Sequence, residues 1–180
     1  RMIFIANPNN PTGTYLSHGS IVNFLKKVPS EIIVVIDLAY YEYVTEDDYI
    51  KPLEILQNFK NVLITKSFSK IHALSALRIG YGMGNEKLIE IMNRVRQPFN
   101  VNAIAQEAAI AALSDTDYLQ KSIDNNTIER KFICECLDKM SVEYIPSQGN
   151  FICINVKTNG TEIFESLMQK GVIVRPIELY

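Results

Sequence analysis

Ser67, Phe68, Ser69 and Lys70, with Arg78 eight positions on, place an amine, two hydroxyls and a fixed positive charge within twelve residues. The apolar run Val62-Leu63-Ile64-Thr65 directly precedes them, so they fall on a turn just past a strand. A lysine amine forms Schiff bases with carbonyl compounds. A hydroxyl-rich turn backed by arginine suits a phosphate. One ligand that is both aldehyde and phosphate would use all of these groups, and pyridoxal phosphate is such a molecule.

Lys70 must lose its proton to attack, against an ordinary pKa of roughly 10.4. Burial and the neighbouring Arg78 would both push it down, and the freed amine could then carry a proton to and from substrate. A solvated surface lysine is the bland alternative, and it fits Lys66 better than Lys70.

Three further groups stand where strands end. Asp37 closes Ile32-Ile33-Val34-Val35-Ile36, the most apolar run in the chain, where a carboxylate without a partner is costly. A protonated pyridine nitrogen would be a partner, keeping the ring electron-withdrawing; a helix cap or loop carboxylate is an equal alternative. Tyr40 lies three residues on and could donate to the cofactor's phenolic oxygen, as could the Asn10 amide. Tyr40 could also merely fill a gap beside Tyr41 and Tyr43, and Asn10 could support its own turn.

The elements that must position these groups read as an α/β layer. Residues 2–6 look like a buried strand running into the turn Asn7-Pro8-Asn9-Asn10-Pro11-Thr12-Gly13. Ser17 is placed to cap a helix over 18–27. Strands are expected at 32–36, 61–66 and 79–83, with a short helix at 51–57. That alternation predicts a mostly parallel sheet, whose ligands gather at the carboxyl ends of its strands. Helices follow at 86–95, 102–113 and 115–138. Beyond about 116 a second, α+β domain is expected, with strands at 142–145, 150–156 and 172–175 and a helix at 161–169.

Composition narrows the class. The chain has 180 residues, 47% of them apolar, and a net charge of −2 with both signs scattered, so neither a nucleic-acid face nor an acidic tail is indicated. No apolar run approaches the roughly 20 residues that span a bilayer. Cys134, Cys136 and Cys153 read as buried structural thiols of a reducing cytoplasm, and with two histidines they make a poor metal-ligand set. No G-x-G-x-x-G or G-K-[ST] loop follows a strand. The chain opens on Arg1 and both ends read as cut, as in part of a longer polypeptide.

Taken in order, Asn7-Pro8-Asn9-Asn10-Pro11-Thr12-Gly13, Asp37-Leu38-Ala39-Tyr40 and Ser67-Phe68-Ser69-Lys70 with Arg78 resemble the motifs of fold-type-I pyridoxal-phosphate aminotransferases. Arg96-Gln97-Pro98-Phe99-Asn100-Val101-Asn102, Ala105-Gln106 and Gly171-Val172-Ile173-Val174-Arg175-Pro176 are similar to the histidinol-phosphate subgroup. The resemblance implies an aspartate-aminotransferase-like fold, with residues 1–115 in the large cofactor domain and 116–180 in the connecting helix and small domain. It implies pyridoxal 5'-phosphate bonded to Lys70, paired with Asp37 and touched by Asn10 and Tyr40, its phosphate held by Ser67, Ser69 and Arg78. Arg175 matches a position that binds the substrate's phosphate.

The implied activity is transamination of histidinol phosphate with 2-oxoglutarate in histidine biosynthesis, by a cytoplasmic homodimer. An aromatic aminotransferase, a threonine-phosphate decarboxylase, or a non-catalytic module of the same fold are the alternatives. The family's N-terminal phosphate loop and ring-stacking aromatic would precede Arg1, and its carboxylate-gripping arginine would follow Tyr180. Leu38 stands where the family commonly has Glu, His72 where it has another aromatic, and Ala73 and Ala76 where it has glycines.

Overall fold

The computed structural model describes residues 1–177. Its central layer is a four-stranded sheet of β1 (Met2–Ala6), β2 (Ile33–Asp37), β3 (Val62–Ser67) and β4 (Gly80–Gly84), in that spatial order. The first three strands are parallel and β4 is antiparallel to β3. Helices α1 (His18–Leu25) and α2 (Pro52–Asn58) make the two crossovers. Ser17 caps α1 as its sequence position suggests, accepting the Ser20 N–H.

Side-chain alternation along the strands divides the sheet into two faces. Val34 and Ile36 of β2, and Val62 and Ile64 of β3, join Ile21 and Leu25 of α1 and Ile55 of α2 in one fully buried core. Leu38 is completely buried in that core, which gives the apolar residue after Asp37 a structural reason to be there. Asp37 and Thr65 fall on the opposite face, level with each other in the β2–β3 register.

Just past the end of β3, Phe68 and Ile79 pack with Ala105 and Ala109 of α4 (Ala103–Ser114) in a separate cluster. Helix α3 (Glu86–Val95) precedes α4, and α5 (Thr116–Lys139) runs on from it as one long helix. A two-stranded antiparallel sheet, β5 (Glu143–Ile145) with β6 (Cys153–Asn155), and α6 (Gly160–Met168) complete the described chain. Leu119 and Ile123 of α5, with Phe151, pack on Tyr40, Tyr43 and Ile71, so this last third touches the strand ends of the first sheet.

Two expectations about strands are corrected. β1 is not covered on both faces: it is the edge strand, with Ile3 and Ile5 against the core but Met2 and Phe4 exposed. Residues 172–175 form no strand. Val172 and Ile173 are exposed and find no ladder partner among the described residues, because β5 and β6 pair only with each other. Residues 178–180 of the expected second domain lie outside the described residues. The three cysteines are half-buried and unbridged, so the expected burial is partial.

Candidate active site

The turn after β3 is built by alternating anchors. Phe68 is buried at 3% exposure and Ile71 at 2%, each in a different apolar cluster, while Lys70 between them is exposed. Backbone bonds from Phe68 N to Ile79 O (3.2 Å), Leu74 N to Phe68 O (3.0 Å) and Ala73 N to Lys70 O (3.0 Å) close the loop. Ala73 takes a left-handed backbone with φ of +56°, a conformation glycine adopts without strain, so the turn keeps a glycine-like geometry despite the alanine.

Lys70 and Lys66 exchange the environments expected of them. Lys70 is the exposed lysine, its Nζ 5.3 Å from the centroid of the Tyr40 ring. Lys66 is 14% exposed, paired with Glu42 at 2.5 Å and lying 4.1 Å from the Tyr41 ring centroid. Strand alternation explains the swap: Lys66 shares the inner face of β3 with Ile64, whereas Lys70 follows the turn beyond the strand.

Around Lys70 the structure gathers a donor set. Tyr40 is 7% exposed, with Phe151 edge-on at 5.1 Å between centroids, and its hydroxyl accepts the Asn10 side-chain amide at 2.9 Å. Asn10 is held out on its turn by Asn7, which is fully buried and exchanges two hydrogen bonds with the Leu16 backbone, 2.8 and 3.0 Å long. Tyr49 donates its hydroxyl to the Asn7 carbonyl, with the phenol pKa pushed up by burial.

Asp37 is exposed rather than buried, because it lies at the open end of β2. Its Oδ1 accepts from Thr65 Oγ1 (3.1 Å) and Ala39 N (3.2 Å), and among the described residues Oδ2 accepts nothing. Thr65 is the partner that sequence reading missed. The clue was a hydroxyl at the last rung of an apolar strand, but only the register places it beside Asp37.

The third group is knit by hydrogen bonds. Ser67 Oγ accepts from Ser69 N (3.0 Å), while Arg78 Nη1 reaches Ser69 Oγ (3.4 Å) and Ser75 O (2.7 Å). Arg78 itself has φ of +52°, so its backbone turns sharply at the exposed edge before Ile79 is buried. Arg175 is exposed on the irregular segment 172–177 rather than at a strand end, and it belongs to no strand ladder among the described residues.

Next to Lys70 opens a cleft of about 540 Å³, lined also by Tyr43, Tyr118, Arg130 and Phe151. Burial lowers the Arg130 pKa, and its guanidinium donates to the Gly149 carbonyl at 3.3 Å. Among the described residues no cluster of His, Cys, Asp or Glu could hold a metal ion, and no helix is long and apolar enough to cross a membrane.

The arrangement fits an aldehyde-bearing pyridine phosphate. An exposed amine, a carboxylate with one uncommitted oxygen, a phenol–amide pair and a hydroxyl–guanidinium cluster all lie at the carboxyl ends of β1, β2 and β3 or the turns beyond them.

Comparison with known proteins agrees. The histidinol-phosphate aminotransferase of Caldicellulosiruptor saccharolyticus is 46% identical over 180 residues, which is 100% of this chain and 50% of that protein. The crystal structure of histidinol-phosphate aminotransferase from Sinorhizobium meliloti, in complex with pyridoxal-5'-phosphate, superposes with a TM-score of 0.90 at 29% identity, covering 97% of this chain and 48% of that one. L-threonine-O-3-phosphate decarboxylase from Porphyromonas gingivalis gives 0.85 at 26%, covering 97% and 54%. The chain thus spans about half the length of the relatives it matches. The family model described as aminotransferase class I and II matches residues 1–180, and the chain belongs to that family.

Proposed function

We propose that the protein containing this chain is a pyridoxal-phosphate-dependent aminotransferase that moves an amino group between histidinol phosphate and 2-oxoglutarate in histidine biosynthesis. The observation that carries the reading is the Asn10–Tyr40–Lys70 constellation, with Asp37 two residues past the buried middle of β2 and aligned with Thr65. The names of the relatives support the substrate.

Bound there, the cofactor would supply an aldehyde and an electron-withdrawing ring. Lys70 would take the aldehyde and later move a proton at the substrate's amino carbon. Asp37 Oδ2 would hold the proton on the ring nitrogen, with Thr65 and Ala39 fixing the carboxylate through Oδ1. The Tyr40 hydroxyl, whose oxygen accepts from Asn10, keeps its own hydrogen to donate to the phenolic oxygen. Ser67, Ser69 and Arg78 would hold the phosphate.

The reading includes a large domain over 1–115, a small one from 116 onward, a homodimer and a cytoplasmic location. A phosphate-ester decarboxylase is the second reading, favoured by the Porphyromonas gingivalis superposition. The test uses the full-length protein. Borohydride reduction followed by peptide mass spectrometry should place the pyridoxyl adduct on Lys70, and an adduct on another lysine would sink the assignment. Amino transfer from histidinol phosphate to 2-oxoglutarate should outrun transfer from aromatic amino acids, and carbon dioxide release from phosphothreonine would favour the decarboxylase. Light scattering that shows a fully active monomer would contradict the dimer.

A further inference from the structure

The ladder between β2 and β3 ends at the bond from Leu38 N to Thr65 O, 2.8 Å long. Past that point the backbone bonds donated by residues 41–44 stay within their own turn: Tyr41 N to Leu38 O, Tyr43 N to Tyr40 O and Val44 N to Tyr41 O. Beyond Leu38, residues 39–44 make no backbone hydrogen bond of their own to the strand that delivers Lys70 among the described residues. A side-chain pair ties the two. Glu42, in the 3-10 turn Tyr41–Tyr43, meets Lys66, the second-last residue of β3, at 2.5 Å.

Both side chains are only 14% exposed, whereas the Lys51–Glu54 and Lys157–Glu143 pairs leave every side chain more than half exposed. Lys66 also lies 4.1 Å from the Tyr41 ring centroid, and that ring is itself packed on the sheet core. Surrounded in this way, the pair is shielded from water on the face of β3 opposite Asp37 and Thr65. Among the described residues neither makes a hydrogen bond or ion pair to Asn10, Asp37, Tyr40 or Lys70. Their effect reaches those groups through two short connections: Glu42 is two residues from Tyr40, and Lys66 is four from Lys70.

We propose that Lys66 and Glu42 are positioning residues, whose ion pair sets the spacing between the Tyr40 ring and the Lys70 amine. The proposal rests on the aminotransferase reading above. Packing alone would tolerate small slides of the 39–44 turn, since the Tyr40 ring sits among apolar neighbours. A short, shielded, charge-assisted contact with a stacked cation permits far less. Misplacement by about 1 Å can cost on the order of a hundredfold in rate, so a pair behind the site can govern chemistry it does not touch.

The experiment is a double-mutant cycle in the full-length enzyme: E42Q, K66M and E42Q/K66M, with K66R as the conservative variant. Unfolding of the cofactor-free protein reports stability, and fluorescence titration with pyridoxal phosphate reports affinity. Each single variant strands a shielded charge and should lower the unfolding midpoint; the double variant should recover it. Positioning predicts that affinity stays roughly tenfold weaker in the double variant. It also predicts that kcat falls there with little change in KM, and that K66R restores both affinity and kcat.

Parent-like affinity and kcat in a stable double variant would overturn the positioning role alone. Should the double variant fail to fold, E42D decides, because it keeps both charges and moves the carboxylate by one methylene. Parent-like behaviour there overturns the role in the same way. A parent enzyme that binds no pyridoxal phosphate would overturn the aminotransferase reading as well.

Discussion

Asn10 and Tyr40, thirty positions apart, meet in a hydrogen bond of 2.9 Å in which the amide donates and the phenol accepts. The direction matters, because a tyrosine that accepts at its oxygen still has its hydrogen to give. The pair therefore leaves the Tyr40 O–H free to donate, on a buried ring whose centroid lies 5.3 Å from Lys70 Nζ.

Tyr40→Phe separates that donor from the packing. The ring keeps its contacts with Phe151 and Ile71, so stability should change little, while the Asn10 amide loses its acceptor. Losing one hydrogen bond of about 0.5–1.5 kcal/mol predicts cofactor affinity about two- to twelvefold weaker. Tyr40→Ala should instead unfold the protein more easily, by about 3–5 kcal/mol as for other large aromatic truncations. Equilibrium unfolding and cofactor titration on both variants check the split.

Asp37→Asn tests the carboxylate without disturbing its seat. An asparagine oxygen can still accept from Thr65 and Ala39, so the β2 terminus should hold its shape. Pyridoxal phosphate should still attach, but turnover should fall by several orders of magnitude, since a neutral amide does not keep a ring nitrogen protonated. Near-normal kcat would make Asp37 structural.

The sequence carried most of the order of elements and the grouping of the candidate residues at strand ends, for physical reasons that particular residues display. Ile33–Ile36 had to be a covered strand because nothing else buries so many β-branched side chains, and Asp37 followed at its end. The hydroxyl–lysine–arginine turn was readable because its chemistry is local. Contacts set by register or by distant loops were not. Thr65 became the partner of Asp37 only through the β2–β3 alignment, and Phe151 reached Tyr40 from over a hundred residues away. The Lys66–Lys70 exchange was misread because β-strand alternation, not composition, decided which amine turned inward.

Gly13 joins the turn that carries Asn10 to the loop before β6. Its φ is +76°, and a Cβ there would stand 2.0 Å from Ser147 Oγ and 2.9 Å from Ser147 Cα, so the backbone itself blocks a side chain. The same contact carries the bond from Gln148 N to Gly13 O, 2.8 Å long. Gly13→Ala should cost about 1–2 kcal/mol for the left-handed backbone and about 1–3 kcal/mol for overpacking. Chemical denaturation of the full-length protein measures it. A loss under about 0.5 kcal/mol, the range of an ordinary surface change, would show that the two loops part freely.

His72 packs on Phe68 at 5.1 Å between ring centroids, and burial lowers its pKa; Lys66 lowers it too, while Glu42 opposes. Its unfolded value is about 6.5. Because the folded value is lower, the unfolded chain binds the proton more readily, and stability must rise with pH through the interval up to about 6.5. His72→Phe keeps a ring against Phe68 and removes that titration. Unfolding free energies at pH 5 and 7.5 should therefore differ less in the variant than in the parent, and an unchanged difference would assign the acid sensitivity to other groups.

Arg175 tests substrate choice on an element that departs from expectation. It sits on the irregular segment after α6, which takes part in no strand pairing among the described residues. A guanidinium there can still present paired donors that match phosphate oxygens, a geometry lysine does not reproduce. Removing one charge-assisted contact should cost on the order of 1.5–3 kcal/mol, roughly ten- to a hundredfold in affinity. The loss should be selective: in the full-length enzyme Arg175→Ala should weaken histidinol phosphate strongly and glutamate, which has no phosphate, far less. Arg175→Lys should recover only part of the difference. Steady-state kinetics with both amino donors decides the matter. Equal losses on the two would make Arg175 a structural residue, and a parent enzyme that treats an unphosphorylated aromatic donor as well as histidinol phosphate would move the assignment to an aromatic aminotransferase.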